Sequence, residues 1–187
     1  MIEKIALFDM DGTLVDYHNQ LEKDMNLLYS PTEEKFQLNW NRDTPEYINK
    51  RKLLITRQIG WWKNLPKLKL GFDVLKWCTN LGFNIMICTK GPTHTENAWT
   101  EKLQWVKENL KNVDNITITT DKGLIYGRVL VDDYPDYALR WLEHRKRGLV
   151  VMPDSVACKN FKHKSVVIYD GKNKDEVQER LRIAYER

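Results

Sequence analysis

The chain has 187 residues, 30 Lys and Arg against 26 Asp and Glu, and a formal net charge of +4. That length suits one domain with an adequate core and a small inserted lobe, and the mild positive balance favours an anionic substrate without requiring nucleic acid. Its longest apolar runs, such as Ile85–Cys88 and Leu149–Met152, are far too short to span a bilayer, no basic-then-apolar leader pattern opens the chain, and Cys78, Cys88 and Cys158 are too few and too scattered for a disulfide framework or zinc cluster. A soluble, cytoplasmic protein with buried thiols and no membrane partner is expected.

The apolar run Ile5–Phe8 predicts a buried strand, and Asp9-Met10-Asp11-Gly12-Thr13 follows it. Alternation puts both carboxylates on one side of an extended backbone, and Gly12 lets the chain turn without a side chain in front of them. Two carboxylates about 4 Å apart repel by roughly 1 kcal/mol in water, and by several times more where the effective dielectric falls. The pair therefore calls for a cation or a shared proton, unless the segment is merely a turn with an Asp cap.

Residues 16–70 read as an inserted helical lobe. Leu21, Met25 and Leu28 fall at helical spacing, Ser30 with Glu33 forms a capping box around Pro31, and Thr44-Pro45 opens a further helix running towards Trp61 and Trp62. From residue 71 the pattern changes to helices alternating with short β-rich runs. Strands are predicted at 84–88, 116–119, 128–131, 149–152 and 166–169. Helices are predicted over 72–80, along the stripe Trp99, Leu103, Val106 and Leu110, at Ala138, Trp141 and Leu142, and from an Asn173 cap with Glu176 through Val177, Leu181 and Ala184. Arg145-Lys146-Arg147 sits where a helix should end, where cations favourably meet the dipole and water. The expected fold is α/β: a Rossmann-like parallel sheet of about six strands flanked by helices, with core residues 1–15 and 71–187 and a helical cap over 16–70.

Parallel α/β sheets bind ligands at the carboxyl ends of their strands. Those ends carry Asp9 and Asp11, then Thr89-Lys90-Gly91, then Asp121-Lys122, then Asp132-Asp133. Each has an ordinary explanation as a cap, turn or solvated charge; one set per strand end, in this order, is harder to obtain by accident. Four carboxylates, a hydroxyl and an ammonium describe a site for a phosphate and a hard divalent cation such as Mg2+. Asp9 is the candidate nucleophile and Asp11 the candidate acid/base. Thr89, Lys90 and Lys122 are candidates for holding phosphate, and Asp9, Asp11, Asp132 and Asp133 for the metal. The histidines His18, His94, His144 and His163 show no paired metal spacing.

These four motifs resemble those of the haloacid dehalogenase superfamily of phosphohydrolases, in their usual order. The insert after the first motif, the Ile-Cys-Thr strand end, and Thr120-Asp121-Lys122-Gly123 leading into Val129–Asp133 resemble the 5′(3′)-deoxyribonucleotidases. That resemblance implies magnesium-dependent dephosphorylation of nucleoside monophosphates, with the base enclosed by Tyr17 and by cap aromatics drawn from Trp40, Trp61 and Trp62. Packing of the lobe is an equal use for these tryptophans. Lys90 departs from the small hydroxyl residue that better-known members carry after the motif-two Thr, so sugar and base preference do not transfer. The same chemistry on nucleic-acid ends or another phosphorylated metabolite, and a phosphate-binding protein without turnover, are the competing expectations. No stable nucleic-acid complex is expected, since no basic arm or stripe is present. Oligomeric state stays open, a homodimer included.

Overall fold

The computed structural model describes residues 3–38, 44–111, 113 and 115–187. Six strands, β1 (Ile5–Phe8), β2 (Asn84–Thr89), β3 (Ile116–Ile118), β4 (Val129–Val131), β5 (Leu149–Pro153) and β6 (Val166–Tyr169), form one sheet. Its order is β3-β2-β1-β4-β5-β6, parallel throughout. This is the doubly wound order, and its direction reverses at β1. Helices cover both faces, which explains why the strands read as almost unbroken apolar runs.

Alternation sorts the strand side chains between two cores. Ala6, Phe8, Val129, Val131 and Val151 pack with Val74 and Cys78 of α3 (Lys69–Leu81), Trp105 and Val106 of α4 (Asn97–Asn109) and Val177 and Leu181 of α6 (Lys174–Glu186). On the other face Leu7, Leu130, Val150 and Met152 meet Ala138 and Trp141 of α5 (Pro135–Glu143). All three cysteines are buried free thiols. No described helix is long and apolar enough to cross a membrane.

Between β1 and α3 the chain forms α1 (Tyr17–Leu27) and α2 (Glu46–Thr56), which pack around Leu21, Met25 and Ile55. Two local expectations are corrected here. Ser30 N does donate to Glu33 Oε2 (3.0 Å), half of a capping box, but residues 31–33 make a turn and no helix is present over 31–38; the Glu33 carboxylate is also forked by Arg51 of α2 at 2.7 and 3.0 Å. In α4 the buried face runs through Ala98, Glu101, Lys102, Trp105 and Val106, while Trp99 and Leu103 are 40% and 36% exposed. Of the expected stripe, Val106 and Leu110 are buried as read, at 0% and 6% exposure, while Trp99 and Leu103 turn outward because Glu101 and Lys102 occupy the inward face.

Glycines fix how closely the first loop sits. Gly12 has φ +72°, and a Cβ there would collide with the Asp133 carboxylate and lie 2.7 Å from the His18 ring. Gly71, in the first turn of α3, lies so close to the Thr13 carbonyl that a Cβ has no space. Gly71→Ala must push α3 away from the loop that carries Asp11. The expected loss is about 1–3 kcal/mol of stability, read as a lower denaturant midpoint with an unchanged slope.

Candidate active site

The strand ends converge as their sequence order requires. Asp9 continues the ladder, its N–H donating to Val131 O (2.9 Å), and Asp132 N donates to Val151 O (3.2 Å), so the residues after β1 and β4 leave the sheet side by side. The N–H groups of Thr13, Leu14 and Val15 all donate to Met10 O, winding the first loop into a tight turn. Asp9, Asp132 and Asp133 are buried, and each offers a carboxylate oxygen within 4.8 Å of the other two. Lys122, itself 1% exposed, reaches them from a 3-10 turn (Lys122–Leu124): Nζ lies 2.9 Å from Asp9 Oδ1 and 2.6 Å from Asp132 Oδ2.

One ammonium does not balance three carboxylates. Burial pushes the Asp132 carboxyl up to about 6 against the pull of Lys122. Burial, with the neighbouring charges of Asp132 and Asp9, pushes Asp133 well above the usual carboxylate range. Burial works to lower Lys122, but the carboxylates of Asp132 and Asp9 overcome it and hold the ammonium charged. Asp133 Oδ2 is buried without a hydrogen-bond partner, 3.6 Å from His18 Nε2. A divalent cation fits this set on three counts: it supplies the missing charge of +2, its preferred ligands are oxygens, and the cluster includes a carboxylate, that of Asp133, with an oxygen lacking a hydrogen bond.

Asp11 is held differently. Its carboxylate lies outside the buried trio that could share a metal, and Oδ2 accepts from Lys102 Nζ at 2.6 Å. Lys102 also donates to Thr89 Oγ1 (3.0 Å) and Lys90 O (2.9 Å), so all three ammonium hydrogens are used by groups at the site. Burial raises the Asp11 carboxyl, Lys102 opposes it and Asp9 adds to it. Asp11 Oδ1 has no hydrogen-bond partner. The two acids of the first loop thus sit in separate environments, one beside the acidic trio's lysine and one under its own.

Above them lies a cleft of about 430 Å³, whose walls include Asp9, Asp11, Tyr17, Trp62, Lys90 and Asp133. Tyr17 and Trp62 lie nearly parallel there, centroids 5.5 Å apart at 19°. Trp61 stands behind them, edge-on to both rings and outside the cleft lining, with its indole N–H on Asp24 Oδ2 at 2.8 Å. Trp40 lies outside the described residues. Lys90 lines the cleft and is exposed, 5.8 Å from the Tyr137 ring, whereas Thr89 and Lys122 are buried behind the lining residues, in contact with Lys102 and with Asp9 and Asp132 respectively.

Sequence reasoning missed Lys102 and its neighbour Glu101. Glu101, 5% exposed, accepts from Gly60 N (2.8 Å), Trp62 N (3.0 Å) and Asn97 Nδ2 (3.0 Å), fastening the turn that carries Trp62 to α4. The only available signal was an adjacent charged pair within a helix, which ordinarily marks a solvated face.

The family model described as "5' nucleotidase, deoxy (Pyrimidine), cytosolic type C protein" matches residues 3–169. The chain belongs to this nucleotidase family. It is therefore a phosphoric monoester hydrolase of the 5′-nucleotidase type. The "Putative 5'(3')-deoxyribonucleotidase" of Bordetella pertussis is 25% identical over 139 residues, covering 70% of this chain and 74% of the relative. Its namesake from Bordetella bronchiseptica is 24% identical over 140 residues, with the same coverage. Among solved structures, a "putative haloacid dehalogenase-like hydrolase" of Burkholderia xenovorans superposes with a TM-score of 0.55 at 12% identity over 96% of each chain. A haloacid dehalogenase hydrolase, family IA, of Entamoeba histolytica gives 0.53 at 10% identity over the whole of both chains. At such identities the two structures speak for the fold alone.

Lys102→Met keeps the stem that packs in α4 and removes the charge from Asp11 and Thr89. A misplacement near 1 Å at reacting groups is worth about 100-fold in rate, so kcat for this nucleotidase should fall about that far while the protein remains folded by circular dichroism.

Proposed function

We propose that the chain is a magnesium-dependent 5′-nucleotidase that dephosphorylates (deoxy)ribonucleoside monophosphates through a phosphoryl-Asp9 intermediate. The observation that carries this reading is the separation of the two loop acids: Asp9 beside Lys122 and the acidic trio, Asp11 under Lys102. Asp9, Asp132 and Asp133 would hold the magnesium, which when bound offsets the charge of the incoming phosphate. A phosphate seated at the cleft floor presents its phosphorus to the Asp9 carboxylate. An Asp9 oxygen attacks, the ester P–O bond breaks, and the departing nucleoside oxygen takes the proton of Asp11. The raised Asp11 carboxyl suits that role, since burial favours its protonated form while Lys102 opposes it. Water then attacks the phosphoryl group on Asp9. Asp11 accepts the water's proton, phosphate leaves, and both acids return to their starting forms.

Lys122 neutralises phosphate oxygens as they gain charge, and Thr89 presents its hydroxyl, fixed by Lys102, at the other side of the floor. The cleft's volume suits a mononucleotide, and Tyr17 with Trp62 offers an aromatic wall for the base. In this reading residues 16–70 act as the cap that carries Tyr17 and Trp62, and the buried free thiols suit a cytoplasmic location.

Asp9→Asn removes the nucleophile and should abolish phosphate release from nucleoside monophosphates; full activity in that variant would refute the reading. Chelation with EDTA should stop wild-type turnover, and added magnesium should restore it. Stacking on an aromatic is worth ~1–3 kcal/mol per base. Trp62→Leu should therefore raise KM for nucleotides by roughly tenfold or more and leave turnover of a phosphate ester without a base nearly unchanged.

A further inference from the structure

A second pocket, of about 230 Å³, opens at the amino ends of the strands and shares no lining residue with the active-site cleft. Arg128 comes from the approach to β4, Arg145 and Arg147 from the turn after α5, and Arg187 from the end of α6; all four line it. Each of three guanidinium groups is pinned by one main-chain carbonyl: Arg128 Nη1 donates to Tyr185 O (2.9 Å), Arg145 Nη1 to His144 O (3.0 Å) and Arg187 Nη1 to Arg147 O (3.0 Å). Arg145 also lies 5.7 Å over the Tyr126 ring, and its buried Nε has no hydrogen-bond partner.

Helix ends account for part of this clustering and fall short of the rest. α5 and α6 both terminate here, and each helix carboxyl end offers about half a negative charge. Two such ends oppose about one of four positive charges. The nearest acids along the chain are already engaged, Glu143 by Arg140 (2.7 Å) and Glu186 by Arg182 (2.6 Å). Among the described residues the arginines that form ion pairs are Arg51, Arg140 and Arg182, and none of the four in the pocket does so. Four guanidinium groups from three segments, with N–H groups to spare and no carboxylate side chain in the lining, are arranged for an anion bearing several charges.

We infer that this pocket binds a diphosphate group. Arginine's planar fork matches phosphate oxygens in pairs. A monophosphate, with at most two charges, would leave much of the cluster uncompensated, whereas a diphosphate brings enough to balance it. The volume admits the diphosphate and leaves any attached nucleoside outside, over the Tyr126 ring, which is 43% exposed. The site is independent of the catalytic reading, since nothing in it depends on turnover.

Isothermal titration of the full chain with inorganic pyrophosphate, in EDTA and low salt, tests this. Wild-type protein should bind. Arg147→Gln with Arg187→Gln, both at exposed positions, should weaken binding by about tenfold or more, as loss of charge-assisted bonds to phosphate demands, and leave hydrolysis of a small phosphate ester unchanged. Arg145→Gln alone should weaken it comparably and serves as the second variant should the pair alter the melting temperature. Absence of pyrophosphate binding by the wild type, or equal affinity in all three proteins, would overturn the inference. Parallel titration with adenosine diphosphate distinguishes the source: tighter binding that Tyr126→Ala abolishes marks a nucleoside diphosphate, and affinity equal to that of pyrophosphate marks the free anion.

Discussion

Everything in this molecule is arranged around a surplus of negative charge at the carboxyl ends of β1 and β4. Asp9, Asp132 and Asp133 are buried together with one lysine between two of them. Burying charges is costly, and removing one partner from a buried pair typically costs about 3–5 kcal/mol. Such a site persists only where the surrounding fold holds it rigidly. The parallel ladder does this: Asp9 and Asp132 are still paired to neighbouring strands through their backbone N–H groups while their side chains face one another. Gly12 then leaves room in front of Asp133 where any larger residue would fill it.

Helix α4 ties the second half of the site to the first. Its inward face carries Glu101 and Lys102 side by side, one gripping the turn that bears Trp62 and the other gripping Asp11, Thr89 and the carbonyl of Lys90. Lys102 also lies 5.1 Å over the Trp62 ring. The aromatic wall and the second acid therefore share a single turn of helix as their mount. A shift of that turn moves both together and keeps their spacing.

The sheet was legible because strands buried on both faces must be nearly all apolar, so Ile5–Phe8 and Val166–Tyr169 announced themselves with their observed bounds. The meeting of polar groups was legible for a related reason: a parallel sheet brings the carboxyl ends of its strands to one edge, so Asp9, Thr89 and Asp132, each ordinary alone, had to come together there. Other features are set by tertiary partners that local patterns do not carry. The first turns of α4 were misjudged because Glu101 is held by backbone N–H groups of residues 60 and 62 and Lys102 by Asp11, all distant in the chain. Ser30 and Glu33 display a helix-start pattern, yet Arg51 claims the glutamate and the segment remains a turn. Trp61 and Trp62 are neighbours of the same kind, and tertiary partners separate them: the Trp61 indole donates to Asp24 Oδ2 and lies outside the cleft lining, while Trp62, with its indole on Thr56 O and its N–H on Glu101, lines the cleft.

The position of β1 in the sheet bears on how the molecule is made. Its neighbours on either side are β2, with Ile5 opposite Asn84, and β4, with Ala6 opposite Val129. The strand that delivers Asp9 therefore finds one partner only when residues 84–89 have been made and the other only when residues 129–131 have. Contacts so distant in sequence are slow to close, and an open apolar strand meanwhile invites pairing with the wrong chain. The residues that gain most from protection during synthesis are the same few that later sit beneath the substrate.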